Sequence, residues 1–230
     1  IASGAEKRLL QCAKYYPPHG TTNADHGYPL QKFMENGVFE AMQDNGVILN
    51  IHGEEHGLSG EQYFGQNSNA EDTFYSTHMV ELREKFPKLK IVCEHITTKT
   101  AADFVARSGD NIGATITPQH LLYTVADLLQ GLKYHLYCLP LVKFEEDRKS
   151  LLSSALSENN TQFFAGTDSA PHTEKATECG CAAGCFTGLI APQLYAQAFD
   201  LNDSNLNAFK SFLCLNGANF YDLNVPKETF

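Results

Sequence analysis

The chain has 230 residues, is 43% hydrophobic and carries a formal net charge of −10 with only 17 lysines and arginines. A chain of that length can bury one sizeable core, which points to a single domain over residues 1–230, and the absence of a Lys/Arg cluster argues against a nucleic-acid partner. No apolar run approaches the roughly 20 residues needed to cross a bilayer, and the first residues lack a charged flank ahead of an apolar stretch, so a soluble protein is expected.

In chain order, Leu10–Tyr16 reads as a strand stopped by Pro17-Pro18. The polar, glycine-bearing HGTTNADHG that follows must be a loop. Phe33, Val38, Phe39 and Met42 can share one helical face that ends at Asn45-Gly46, a helix-stop signal. Val47–His52 is the next apolar strand, without the period-2 alternation of a half-exposed one. After GEEHGLSGEQYFGQNSN, a helical pattern runs through Phe74, Val80, Leu82 and Phe86 until Pro87 ends it. Lys90–His95 is a strand, and Thr98 or Thr100 can cap a short helix through Ala101, Ala102 and Val105. Ile112–Thr117 is a further strand, and Phe144–Glu158 a helix with Leu151, Leu152 and Leu156 inward. The chain then reaches the strand Phe163–Asp168 and finishes with helices near Leu189–Phe199 and Leu206–Leu215.

Strand followed by helix, repeated along the chain, is the pattern of a parallel α/β sheet with crossover helices. A doubly wound nucleotide-binding sheet would want a glycine-rich turn after its first strand, and none is present, so a (β/α) barrel is preferred. The first such strand begins only about ten residues after Ile1, as though the chain starts within the fold.

Seven cysteines suit a reducing, cytoplasmic compartment. Cys12, Cys93 and Cys138 lie in apolar runs and are expected to pack as small hydrophobes. Cys179, Cys181 and Cys185 in CGCAAGC lack the spacing of a zinc ribbon or finger, which favours a tight loop over a metal knuckle.

The chemistry concentrates at strand ends. Lys14, His52, His95 and Asp168 each close a short apolar run, and a (β/α) barrel opens the C-terminal ends of its strands onto one face. Two imidazoles and a carboxylate are zinc ligands in kind. A partly buried lysine there has two readings: a neutral amine that adds carbon dioxide to form a metal-bridging carbamate, or an ammonium paired with a carboxylate. Spacing leaves both open.

The strings KYYP followed by TTN, then NIHGE, CEHITTK, ATITPQHL, HLYCLP, GTDSAPH and CGCAAGCF closely resemble the homodimeric, single-function dihydroorotases of the amidohydrolase superfamily, through nearly the whole chain. The resemblance implies a zinc enzyme of pyrimidine synthesis on a (β/α)8 TIM-type barrel, cytoplasmic and homodimeric, which interconverts carbamoyl aspartate and dihydroorotate. It implies that Lys14 is the carbamylated lysine bridging two zincs, with His52 and His95 on one metal and Asp168 on the other. It further implies that Asp168 serves as the proton carrier, that Thr21 and Thr22 sit on a loop that closes over substrate, and that Leu139, His172 and Ala182 contact the substrate. The family's first-strand His-x-His pair does not occur in this sequence, so about the last five of eight β/α units are expected, and the chain alone is expected to hold at most one zinc and show little activity. Alternatives are a hydrolase of another cyclic amide and an inactive, scaffold-like relative.

Overall fold

Five short apolar runs form strands in the computed structural model, which describes residues 1–20, 26–178 and 180–225. The strands are β1 (Cys12–Tyr15), β2 (Ile48–His52), β3 (Ile91–Glu94), β4 (Ile112–Ile116) and β5 (Phe163–Ala165). Thr21, Thr22 and Cys179 lie outside the described residues. The fold divides into two units, Ile1–Glu94 with Asp103–Ile112 and His95–Ala102 with Gly113–Phe230.

In the first unit β1 pairs in parallel with β2, placing Lys14 opposite Asn50, and β2 pairs in parallel with β3, placing His52 opposite Glu94. Val47, Ile48, Leu49 and Ile51 are buried together with Ile91, Val92 and Cys93. Consecutive burial, with no polar alternate face, is what a parallel strand inside an α/β layer requires. Burial lifts the Cys93 thiol to about 12, so it packs as a hydrophobe, as expected. Cys12 corrects the sequence reading, because it lies exposed at the start of β1.

The single helical face expected from Phe33 to Met42 is two helices, Leu30–Glu35 and Val38–Asp44. Gly37 separates them at φ +81°, a left-handed conformation that glycine adopts without steric cost. Phe39 and Met42 remain buried, and the second helix stops at Asn45, as read. The pattern around Phe74–Phe86 is likewise two helices, Ala70–Ser76 and His78–Lys85. Asn69 Oδ1 caps the first by accepting from the Glu71 and Asp72 amides at 3.0 and 3.1 Å, while Asp72 accepts from the Asn69 amide at 3.1 Å. The break resets the helical frame, so Met79 and Leu82 are buried and Val80 is exposed.

In the second unit β4 and β5 pair in parallel, with Thr115 opposite Phe164 and Ile116 opposite Ala165. Thr98 caps the helix Lys99–Arg107, its Oγ1 accepting from the Ala101 amide at 3.1 Å. The helix Glu145–Leu156 buries Leu151 and Ala155, whereas Leu152 and Leu156 are half-buried. Leu189, expected inside a helix, is exposed on the 3-10 turn Gly188–Ile190, and the α-helix runs from Ala191 to Ala198. Its Tyr195 is fully buried and donates its hydroxyl to the Ile116 carbonyl at 2.8 Å, which anchors the helix to β4. The last helical stretch is α-helical over Leu206–Lys210, winds as a π turn over Ser211–Leu215, and returns to α over Asn216–Phe220. Among the described residues no helix is long and apolar enough to cross a membrane.

Candidate active site

In the first unit, Lys14 and His52 stand toward the C-terminal ends of adjacent parallel strands. The Lys14 ammonium forms an ion pair with the Glu94 carboxylate. Asn50 Nδ2 donates to the other carboxylate oxygen, Glu94 Oε1, at 2.9 Å. This is the paired-lysine arrangement, the one natural to an unmodified amine. A carbamate at Lys14 would be anionic, so Glu94 would have to turn to another partner before Lys14 could carry one. The Tyr16 ring lies between the two strand-end residues, 4.7 Å from Lys14 Nζ and 5.5 Å from the His52 ring.

His52 is 2% exposed and its Nε2 bonds Glu54 Oε2 at 2.9 Å. A carboxylate only accepts, so Nε2 carries the proton and a neutral ring keeps its lone pair on Nδ1. A histidine whose second nitrogen is held by a carboxylate is how metal-ligating imidazoles are oriented. Neighbouring Gly53 explains the local sequence, since a Cβ there would meet the Tyr75 ring at 2.7 Å.

In the second unit, His95 and Asp168 both adopt φ +43°. A left-handed backbone at a histidine and an aspartate costs energy, and such residues gather where function holds them. The His95 amide donates to Thr115 Oγ1 at 2.7 Å. Thr115 is also the residue that a Cβ on Gly166 would meet at 2.6 Å. One threonine therefore supports the backbone at His95 and demands the glycine of the GTDSAPH stretch. The sequence reading extended the last strand to Asp168, but β5 ends at Ala165. Beyond it Ser169 forms a parallel bridge with Cys185, and Ser169 Oγ accepts from the Thr187 and Gly188 amides at 3.2 and 2.8 Å. These bonds place Asp168 on a turn between β5 and the Cys185 segment.

The substrate-side residues read from the sequence lie in the same unit. Leu139 precedes Pro140, whose carbonyl accepts from His120 Nε2 at 2.9 Å. His120 Nδ1 in turn bonds the buried Thr117 hydroxyl at 2.7 Å, which orients the ring whose Nε2 holds the backbone next to Leu139. His172 donates Nε2–H to the Ala183 carbonyl at 2.8 Å, which leaves only Nδ1 for any other partner. Ala182 is half-buried, and its amide donates to the Lys175 carbonyl at 2.9 Å. Cys138 and Cys185 are buried in one apolar cluster with Val142. Their mutual hydrogen bond and burial push the Cys138 thiol up, while that bond, with the Lys175 ammonium also contributing, pulls the Cys185 thiol down.

Sequence reasoning missed Asn50, Glu54, Glu94, Thr115 and Lys175. The first two were discoverable, because Asn50 and Glu54 lie two residues to either side of His52, the spacing of one strand face. Among the described residues no three His, Cys, Asp or Glu side chains form a group that could hold a metal. Within the first unit, the feature that suits a metal is the ring of His52, whose Nε2 is held by a carboxylate as in ligating imidazoles.

No family model matches the chain. Among solved structures, a dihydropyrimidinase from Brevibacillus agri aligns with 96% of this chain and 52% of its own at a TM-score of 0.74 and 13% identity. Saccharomyces cerevisiae dihydroorotase in complex with 5-fluoroorotic acid aligns with 96% of this chain and 63% of its own at a TM-score of 0.85 and 30% identity. The dihydroorotase of Campylobacter jejuni covers 98% of this chain and 62% of its own at a TM-score of 0.80 and 34% identity. Parallel strands with crossover helices and these likenesses define the fold as part of a (β/α)8 barrel of the amidohydrolase class. Within that class the chain is a relative of the dihydroorotases. It is 41% identical to the dihydroorotase of Acaryochloris marina over 234 aligned positions and 42% identical to that of a Picosynechococcus species over 233. It spans 64% of the length of each of these relatives.

Proposed function

We propose that this chain is the site-bearing part of a zinc-dependent dihydroorotase, a single catalytic domain that interconverts N-carbamoyl-L-aspartate and L-dihydroorotate in cytoplasmic pyrimidine synthesis, working as a homodimer. The observation that carries the proposal is the coincidence of Lys14 and His52 near the ends of β1 and β2, His95 just after β3 and Asp168 on the turn after β5 with identity of 41% to a dihydroorotase along the entire chain.

In this reading His52, His95 and Asp168, with Lys14 carbamylated once Glu94 has released it, would hold zinc, which when bound would supply Lewis acidity at the amide carbonyl and an acidified water. Asp168 takes a proton from the attacking water and returns it to the ring nitrogen as the amide C–N bond breaks, and the reverse sequence closes the ring. Glu54 keeps His52 in one tautomer through the bond at 2.9 Å. The Leu139 backbone, steadied through Pro140 by His120, meets the substrate ring. His172 and Ala182 line the substrate side, with the Nε2–H of His172 held by the Ala183 carbonyl. Thr21 and Thr22, which lie outside the described residues, complete the proposed catalytic set.

The test is turnover of carbamoyl aspartate and of dihydroorotate by a protein of the relatives' length that includes this chain, loaded with zinc and bicarbonate, beside its Asp168→Ala variant. Conversion in both directions by the parent and none by the variant is expected. Hydrolysis of hydantoin or dihydrouracil in place of dihydroorotate would move the protein to another cyclic-amide activity.

A further inference from the structure

The segment from His172 to Gly184 carries two of the proposed substrate contacts, yet most of it cannot be placed by core packing. His172, Thr173, Glu174, Ala176, Thr177 and Glu178 are all exposed, and its strands Ala176–Thr177 and Gly180–Cys181 are two residues each. Such a segment lacks the buried apolar surface that normally determines where a loop lies. Within its exposed first half, residues 172–178, Lys175 is the residue that turns inward. It is half-buried, and its Nζ donates to the Tyr137 carbonyl at 2.7 Å, to the Gly184 carbonyl at 2.5 Å and to the Ala182 carbonyl. An ammonium has three N–H donors, and three carbonyls take them. The backbone reinforces the same junction, with the Gly184 amide donating to the Tyr137 carbonyl and the Ala182 amide to the Lys175 carbonyl, each at 2.9 Å.

We infer that Lys175 is a positioning residue for the substrate side of the site, clamping the segment that carries His172 and Ala182 onto the Tyr137–Leu139 segment. The inference rests on the dihydroorotase reading for the roles of Leu139, His172 and Ala182. Lys175 itself does not grip the substrate carboxylate, because its donors are already engaged. Its effect is on the geometry of the segments that carry the proposed substrate contacts, which serve ground state and transition state alike. Loss of the clamp therefore raises KM and leaves kcat nearly unchanged.

The experiment compares Lys175→Met, which keeps the stem and removes the donors, with a Lys149→Met control at an exposed helix position, both in the longer protein. Steady-state kinetics with carbamoyl aspartate are read alongside hydrogen exchange at the Ala182 and Gly184 amides and the melting temperature. Lys175→Met is expected to raise KM about tenfold with kcat within about twofold, to speed exchange at both amides, and to leave the global melt close to that of the parent. Lys149→Met is expected to match the parent throughout. An unchanged KM, or a fall in kcat that tracks a lowered melting temperature, would overturn the assignment. Should the parent fail to turn over carbamoyl aspartate, the dihydroorotase reading falls by itself. The clamp is then still decided by exchange: slower or unaltered exchange at Ala182 and Gly184 in Lys175→Met removes it.

Discussion

Asp168 is held where an aspartate is uncomfortable, at φ +43°, and this separates the chemistry proposed for it from its contribution to stability. Alanine at that position keeps the left-handed strain without the carboxylate, whereas glycine relieves it. Asp168→Gly is therefore expected to be more stable than Asp168→Ala by about 1 kcal/mol, with both variants inactive in the longer enzyme. Paired thermal melts decide this, and an Ala variant as stable as the Gly variant would remove the strain argument. At His52 the dependence runs through Glu54, since the bond at 2.9 Å orients the ring. Glu54→Gln should weaken zinc retention by about 10- to 100-fold in a chelator competition, as loss of an outer-shell partner does. Retention equal to the parent would show that the His52 ring is oriented by other contacts.

At the scale of elements, close approach of β4 and β5 explains the glycine that no hydrophobic pattern accounts for. Gly166→Ala would drive a Cβ to within 2.6 Å of Thr115 Cβ, overpacking worth about 1–3 kcal/mol. The melting temperature should fall accordingly, with metal retention disturbed through Thr115 and the His95 amide it accepts. An unaltered melt would mean that the strands can part at no cost. The helix Glu145–Leu156 offers a pH test. Arg148 bonds both Glu145 oxygens, at 2.7 and 2.8 Å, and holds that carboxyl down at about 2. The folded value lies below the unfolded one of about 4.3, so the pair contributes above pH ~4.3, and its contribution fades as pH falls through about 2. Because Glu145 is half exposed, the pair contributes only about 0.3–0.5 kcal/mol. The stability difference between the parent and Glu145→Gln should therefore be small at pH 6 and vanish near pH 2. A difference that grows on acidification would contradict the assignment.

For the whole molecule, stoichiometry is the informative measurement. The chain spans 64% of the length of its Acaryochloris relative and contains no His-x-His sequence. Expressed as these 230 residues, it is expected to retain at most about one zinc, held through His52 and His95, on a count of available ligands. Metal analysis after dialysis with bicarbonate present checks this. Two tightly held zincs would show that the donor set read from strand ends is incomplete.

The sequence by itself determined the repeating strand-and-helix pattern and the apolar runs that became β2, β3 and β4, with His52 closing β2 and His95 following β3. Those features are local: consecutive Val, Ile and Leu suit a strand buried on both faces, and a polar residue at its end must face an opening. Tertiary structure alone decided how Lys14 is paired, because Glu94 lies 80 residues away in sequence, and no spacing rule connects two strands separated by helices. It also decided the frame shifts at Gly37 and Thr77, where each helix restarts on a new face, and the left-handed turns at His95 and Asp168. The role of Lys175 was equally hidden. Its three partners are backbone carbonyls, which every residue possesses, so only folding could reveal which three converge on its ammonium.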